Sequence, residues 1–230
     1  MKIGAGKKMI RNKIQRCALI MLAMSFFAGM SIVTSCKKQN DEKPLAVAVS
    51  GIVNFVQGTV KVEKDGVSNI LKVGDSVVEG IRIVTVGDKS FAEIYIGDNA
   101  IKVMGNTTLL VSRMVMSSEG KSTDLTVEKG SLFSKIPKKL EKGDDYRVRT
   151  AHAVAAVRGT EFMVSDEGIK SNIVCVDGKI AVAQIQSPDK TVVLGKNDEV
   201  DVAAGSEMVK KQIESDKLRT IEMNTSIREM

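Results

Sequence analysis

Apolar and polar residues alternate in short runs along much of the chain, and glycine-containing turns separate these runs. Alternation with a period of two places successive side chains on opposite faces of a β-strand. The alternation is clearest over residues 91–96, where one face carries Ala92, Ile94 and Ile96 and the other carries Phe91, Glu93 and Tyr95. We expect the first face to lie in a core and the second to contact water.

Six runs of this kind predict strands, at residues 49–56, 59–62, 81–86, 91–96, 101–104 and 107–113. The pairs Asp65-Gly66 and Asp177-Gly178 suit tight turns, because glycine adopts positive φ without steric cost. We therefore predict an all-β domain over residues 47–204, a compact β-sandwich or β-roll of many short strands.

The final residues, 205–230, predict a short C-terminal helix. Val209, Ile213, Leu218 and Ile221 recur at helical spacing among charged residues, and Ser206 is a suitable N-cap. We expect this thin apolar stripe to pack on the protein's own domain. The alternative is that it binds a partner.

The amino end of the chain has the layout of a secretory signal. Basic residues without acidic ones come first, and an apolar run over residues 17–33 follows them. This run is marginal for a membrane span, which needs roughly 20 apolar residues, and polar residues interrupt it. We predict a cleaved signal peptide over residues 1–35.

Small residues then lead into a cysteine, in the order Val33-Thr34-Ser35-Cys36. This segment resembles a bacterial lipobox of the relaxed, spirochaete-like form, which implies a lipid on the Cys36 thiol. Residues 36–46 would form the lipidated cysteine and a polar tether. We expect a lipid-anchored domain in the cell envelope, at the outer membrane, on its periplasmic face or at the cell surface. A membrane-spanning anchor and an unmodified Cys36 are the alternatives.

Charge excludes one class of function. Residues 1–35 hold six basic and no acidic residues, which accounts for the whole excess of 34 Lys and Arg over 28 Asp and Glu. The mature protein is therefore neutral, and only 3% of the residues are aromatic. We expect no binding to nucleic acid, because such binding needs clustered cations and stacking residues. Cys175 is predicted to be a buried, inert thiol.

The most specific motif is V-R-T-A-H-A-V-A-A-V-R-G-T-E-F, at residues 148–162. Before it come, in order, G-T-V-K-V at 58–62, V-G-D-S-V at 73–77, S-F-A-E-I at 90–94 and L-T-V-E-K-G-S-L-F-S at 125–134. Together these segments resemble the FecR domain family, named for a periplasmic regulator of iron-citrate uptake. The resemblance implies a non-enzymatic, extracytoplasmic β domain that works through protein or envelope contacts.

Four residues of this motif are candidates for binding or for a structural role: Arg158, Gly159, Thr160 and Glu161. Gly159 permits a sharp turn, and Thr160 then rejoins a strand. A buried Arg158 would need a carboxylate, which Glu161, Asp144 or Asp145 could supply. We expect Arg158 to pin two β units together, and the alternative is that it binds a ligand.

Catalytic and metal-binding patterns are missing from the sequence. His152 is the single histidine and lies among alanines, and no G-x-S-x-G motif accompanies it. Gly120-Lys121-Ser122 lacks the rest of a phosphate-binding loop, and there is no paired cysteine or H-E-x-x-H motif. We expect no enzymatic activity, no cofactor and no metal.

Two functional hypotheses follow. The first is a lipoprotein that displays its β domain to an envelope protein or to peptidoglycan. The second is a sensory or regulatory relay, with a possible link to iron, that acts through a membrane partner. The sensor for which the family is named has a cytoplasmic anti-sigma segment and a membrane helix ahead of its domain, whereas a lipid-anchored domain would need such a partner to reach the cytoplasm.

Overall fold

The computed structural model describes residues 46–137 and 139–228. Its strands are β1 (Val47–Ala48), β2 (Gly51–Lys64), β3 (Val67–Ile70), β4 (Ser76–Val77), β5 (Arg82–Ile96), β6 (Asn99–Val103), β7 (Thr108–Ser117), β8 (Gly120–Lys135), β9 (Asp145–Arg149), β10 (Ala153–Val157), β11 (Glu161–Asp166), β12 (Ser171–Asp177), β13 (Ile180–Gln184), β14 (Ser187–Leu194), β15 (Asp198–Val202) and β16 (Lys210–Gln212). One helix, α1 (Ser215–Asn224), follows β16.

These strands form one hydrogen-bonded sheet that folds over into two layers. The first layer has the order β2, β5, β6, β8, β11, β12, β15, β16. The second runs from β14 through β13, β10 and β9 to the first half of β8 and to β7. The pairs are antiparallel except for β8 and β9, which are parallel. The described residues therefore form an all-β fold, as the alternation predicts, with one short helix.

Strand β8 belongs to both layers and connects them. Its first half, including Thr123, pairs with β9, and its second half, including Ser134, pairs with β11. Tyr146 lies opposite Thr123 in the ladder, yet its hydroxyl is 3.2 Å from Ser134 Oγ. The Tyr146 ring also contacts the Phe162 ring edge-on, with 6.3 Å between centroids. These contacts require β8 to bend far enough for the two layers to face each other.

The core lies between the layers and consists mainly of branched aliphatic side chains. Its largest fully buried members include Ile83, Ile94, Leu109, Leu125, Phe162 and Ile173. Cys175 is also fully buried in this core. The inward face predicted for residues 91–96 is confirmed, since Ala92 and Ile94 have no exposed surface. The strands that line the core thus bury alternate side chains in it, and this burial holds the two layers together.

The predicted water-facing side of the same strand is covered instead. Glu93 has no exposed surface, because the chain end crosses the outer face of the first layer. We call residues 215–228, which comprise α1 and the four residues after it, the C-terminal strap. Ile221 of the strap packs against Val174 of β12 in a small apolar cluster on this outer face.

The predicted start of the helix is wrong. The helix begins at Ser215 with Glu214 as its N-cap, and Ser206 lies in the preceding loop. Residues 210–212 instead form β16, which pairs with β15. The backbone hydrogen bonds available at the edge of the first layer outweigh the weak helical periodicity of this polar segment. Leu218 and Ile221 do lie in the helix and do pack on the domain.

Several predictions concern residues outside the described ones. These are the signal peptide over residues 1–35, the lipidated Cys36 and nearly all of the tether over residues 36–46.

Candidate functional site

The motif at residues 148–162 spans parts of three successive strands and the two turns between them. It begins in β9, continues through β10 and enters β11. Strand β10 lies between β9 and β13. Its inward side chains, Ala153, Ala155 and Val157, are all buried. Small residues at these positions let β10 pack closely against the other layer, so the alanine-rich sequence has a packing role.

The first turn, between β9 and β10, is held by a buried polar network. Thr150 Oγ1 accepts the Ala153 N–H at 2.9 Å and lies 2.7 Å from Ser171 Oγ. Asp166 joins the network through its Oδ2, which is 3.0 Å from the same Ser171 hydroxyl. Thr150, Ser171 and Asp166 are each at least 95% buried. These polar groups have their hydrogen bonds inside the protein, which gives the turn a fixed shape.

His152 lies on the outer side of this turn. Its Nε2 is 3.1 Å from the Gly168 carbonyl oxygen. A carbonyl only accepts hydrogen bonds, so this contact requires a proton on Nε2. The His152 ring therefore links the first turn to the β11–β12 turn.

The second turn, over residues 158–160, packs against the turn before β13. Gly159 has φ of +79°, a conformation that favours glycine. The Thr160 hydroxyl donates to the Lys179 carbonyl at 3.0 Å. The Gly159 carbonyl lies so near Gly178 that a Cβ there would be 2.7 Å away. Gly159 and Thr160 are thus structural residues of a close turn-to-turn contact.

Arg158 does not pin the β units together, contrary to the expectation. Its side chain is exposed, and within residues 46–137 and 139–228 it makes no hydrogen bond or ion pair. Glu161 pairs instead with Lys135, at 3.0 Å. The reason is the ladder register, which places Lys135 directly opposite Glu161 while Arg158 points out of the turn.

The two other proposed carboxylates are also engaged elsewhere. Asp145 Oδ2 is 2.9 Å from Arg147 Nη2, and Asp144 accepts the Lys121 N–H at 2.8 Å. Asp145 thus pairs with a residue two positions away, and Asp144 binds the backbone of the adjacent strand β8, so neither is paired with Arg158. Arg158 is left as an exposed cation at the end of the sheet.

The arginine that does join two strands is Arg149. Its Nε donates to both carboxylate oxygens of Asp124, at 2.8 and 3.0 Å, across the parallel β8–β9 pair. These hydrogen bonds raise the pKa of Arg149. The sequence contains an indication of this role, because Arg149 follows the buried Val148 at the end of a strand and therefore lies on the opposite face. The pairing with Asp124 depends on the parallel register, which the sequence pattern does not contain.

A cleft of about 280 Å³ opens beside Tyr146. Its apolar lining includes Val49, Met114 and Met116, and Lys121 and Lys139 lie among its charged residues. Burial raises the pKa of the Tyr146 hydroxyl, which therefore stays protonated and lies next to Ser134. Four carboxylates, of Asp98, Glu141, Asp144 and Asp145, share the lining with these lysines, so the cleft can accept a small apolar group with nearby polar groups of either charge.

Neither a metal-binding cluster nor a membrane-spanning helix occurs among the described residues. No group of three or more His, Cys, Asp or Glu side chains there could hold a metal ion. The only helix in that part of the chain, α1, is too short and too polar to cross a membrane.

The fold and the three-strand motif define the class of domain. It is an all-β, two-layer domain whose most specific motif forms a rigid β9–β10–β11 unit. Residues 82–181 match the family model described as FecR protein, and the chain therefore carries a FecR domain. The match begins at the start of β5 and ends in β13, so β1–β4, β14–β16 and the C-terminal strap lie outside it.

Solved structures with a similar fold come from Parabacteroides distasonis ATCC 8503. A candidate anti-sigma factor at 1.65 Å resolution has a TM-score of 0.50 and 19% identity, over 63% of this chain and 65% of that one. A second structure of a candidate anti-sigma factor from the same organism, at 2.50 Å resolution, has a TM-score of 0.49 and 19% identity, over 61% of this chain and 63% of that one. This chain thus spans about 65% of the first structure's length, and at this identity the likeness shows the fold. No curated protein matches the chain.

Proposed function

We propose that this protein is an extracytoplasmic regulatory protein whose FecR domain relays a signal to a membrane partner. The observation that carries the proposal is the FecR match over residues 82–181, which includes the whole 148–162 motif. The family is named for a regulator of iron-citrate uptake. The fold likeness to a candidate anti-sigma factor supports a regulatory role over a purely structural one.

The proposed contact surface is the end of the sheet that carries Arg158. The backbone there is rigid, because the second turn packs against Gly178. Its surface carries the exposed Arg158 and the ion pairs Lys135–Glu161 and Lys196–Asp177. Rigid surfaces with fixed charges favour specific protein contacts, since complementary charges steer association and select partners. We assign no catalytic step to this surface.

The proposed anchor is a lipid on Cys36. A tether of about ten extended residues spans on the order of 30 Å, which would hold the domain near the membrane in the envelope. Labelling cells with an alkyne palmitate analogue tests this anchor. We expect label on the wild type and neither label nor membrane retention for Cys36→Ala. A labelled Cys36→Ala protein would contradict the assignment.

The regulatory proposal is tested by gene deletion. We expect deletion to change transcription of a restricted gene set, above all under iron limitation. Wild-type protein should restore it, Arg158→Glu should not, and Lys190→Glu on the exposed edge strand β14 serves as the matched control. An unchanged transcriptome in the deletion strain would refute the relay.

The second candidate function is a binding lipoprotein without a signalling role. It is favoured by the cleft beside Tyr146, whose lining combines apolar side chains with Lys121, Lys139 and four carboxylates, because cell-wall peptidoglycan presents both carboxylates and amino groups that such mixed charges can bind. Co-sedimentation with purified sacculi tests it. Binding that Lys121→Glu weakens, together with an unchanged transcriptome, would favour this function over the relay.

A further inference from the structure

The C-terminal strap crosses the outer face of the first layer almost from one side to the other. It starts beside β15, where Lys217 contacts Glu199, and its helix packs Ile221 against Val174 of β12. The four residues after the helix continue over β6 and β5 towards β2. Lys102 Nζ donates to the Ser226 carbonyl at 2.8 Å, and the Tyr95 hydroxyl donates to the Arg228 carbonyl at 2.7 Å.

The strap ends on a fully buried carboxylate. Glu93 has no exposed surface, and it accepts the Arg228 main-chain N–H at 3.1 Å and Arg228 Nη1 at 2.9 Å. Lys102 Nζ is 3.3 Å from the same carboxylate. A buried charge is tolerated only when it is paired and hydrogen-bonded, and Glu93 has both cations and the Arg228 N–H as partners under the strap.

Two aromatic rings complete this site. Phe55 and Phe91 lie 5.6 Å apart between ring centroids. The Arg228 guanidinium carbon is 3.6 Å from the Phe55 centroid, and Lys102 Nζ is 4.3 Å from the Phe91 centroid. We call Phe55, Phe91, Glu93, Tyr95 and Lys102 the Glu93 site. A carboxylate beside an aromatic face is the environment that a planar guanidinium prefers, because it combines hydrogen bonding with stacking.

The strap has the properties of a removable occupant. About half of the Arg228 side chain, 52%, stays exposed although its tip reaches Glu93. The strap lies outside residues 82–181, whereas Phe91, Glu93, Tyr95 and Lys102 lie inside them. A segment outside the family match thus covers a carboxylate and an aromatic side chain that lie within it.

We propose that the Glu93 site is a binding site for an arginine-bearing, extended peptide segment, and that the C-terminal strap occupies it in cis. The ligand class follows from the contacts. The guanidinium binds Glu93 and Phe55, and the ligand backbone offers one N–H to Glu93 and carbonyls to Lys102 and Tyr95. The inference rests on the proposed function only in naming the relay partner as the source of the competing segment.

Competition makes the site a switch between two states. While Arg228 is bound, the strap hides the aromatic pair and the carboxylate. A partner segment with an arginine in an extended chain binds only by displacing it, so binding and release of the strap are coupled.

The test uses a fluorescent peptide of residues 224–230, N-T-S-I-R-E-M, and measures its anisotropy with the full-length chain. We expect Arg228→Ala protein to bind the peptide at least tenfold more tightly than wild type, because its cis occupant is gone. The double variant Arg228→Ala/Glu93→Gln should lose this gain. A peptide with Arg228→Ala should bind none of the proteins.

Equal binding by wild type and Arg228→Ala would overturn the proposal, as would binding that survives Glu93→Gln. Circular dichroism and thermal melting check that each variant is folded. If Glu93→Gln fails to fold, Phe55→Leu in the Arg228→Ala background replaces it, because it removes the aromatic face and keeps an apolar side chain. Loss of the gain in that variant supports the site, and its persistence overturns it.

Light scattering distinguishes a second copy as the occupant. A wild-type dimer that Arg228→Ala dissociates would overturn occupancy in cis, because the strap would then bind another chain. A monomer supports it. Peptide binding together with an unchanged transcriptome in the deletion strain would support the Glu93 site and refute the relay. A transcriptional response without peptide binding would support the relay and refute the Glu93 site.

Discussion

Arg228 and Glu93 are 135 residues apart in sequence, and their side chains meet at 2.9 Å. The pair joins the end of the strap to the middle of β5. It converts a strand face that alternation alone would expose to water into a buried surface. This contact contributes to the stability of the domain and is also part of the proposed peptide site.

We expect Glu93→Gln to lower the free energy of unfolding by about 3 kcal/mol, because it leaves the buried Lys102 ammonium without its carboxylate. The matched control is Glu128→Gln, which breaks the partly exposed ion pair with Arg82 and should cost up to about 1 kcal/mol. Urea denaturation measures both. Equal losses would contradict the distinction between the buried and the exposed pair.

We expect Gly178→Ala to destabilise the protein more than Gly66→Ala. Both glycines have positive φ, of +93° and +79°, which costs an alanine about 1 kcal/mol or more. Only at Gly178 would the new Cβ also meet backbone, 2.7 Å from the Gly159 carbonyl, whereas nothing lies within 4 Å at Gly66. Thermal melting of the two variants compares them. A similar loss for both would show that the turn at Gly159 yields easily.

Asp198 should make stability depend on acidity. The Gly195 N–H lowers the pKa of this carboxyl, burial opposes that shift, and Lys210 lowers the pKa further. The pKa of Asp198 in the folded protein lies below the unfolded value of about 3.9. The ionised carboxyl therefore contributes to the free energy of unfolding above that pH. This contribution is lost as the pH falls through the folded pKa.

The variant Asp198→Asn tests this dependence. It should lose less stability than wild type between neutral pH and about pH 3, since it has no carboxyl to protonate there. Denaturant midpoints at several pH values measure the slope. Asp189→Asn, at an exposed position of β14, is the control and should follow the wild type. An unchanged slope in Asp198→Asn would contradict the assignment.

Cys175 should be unreactive in the folded protein. It is fully buried, and burial raises the pKa of its thiol to about 12, with Asp198 and Asp177 adding to the shift. The thiolate that reacts with alkylating reagents is therefore scarce at pH 8. Iodoacetamide followed by mass measurement should modify Cys175 only in denaturant. Modification of the native protein at the rate of a free thiol would contradict this.

The strand pattern was predictable because it depends on local chemistry. Ala92, Ile94 and Ile96 alternate with larger polar or aromatic side chains, and only a β-strand buries such a set on one face. The FecR resemblance was also readable from the 148–162 motif. In contrast, the sequence pattern predicts a carboxylate partner for Arg158, but the ladder register places Glu161 opposite Lys135. The pattern also does not indicate that Arg149 binds Asp124, because that pairing depends on the parallel register.

The amino-acid sequence by itself determined the all-β class, the positions of several strands before residue 114, the buried state of Cys175 and the FecR assignment, since each follows from residues close together in the chain. Only the tertiary structure decided that residues 210–212 form an edge strand and that Arg228 covers Glu93. Both features depend on contacts between segments that are far apart in the sequence. Such contacts exist only after folding has brought the two segments together. A period of two records which side of a strand is apolar, but it does not record what lies on the other side.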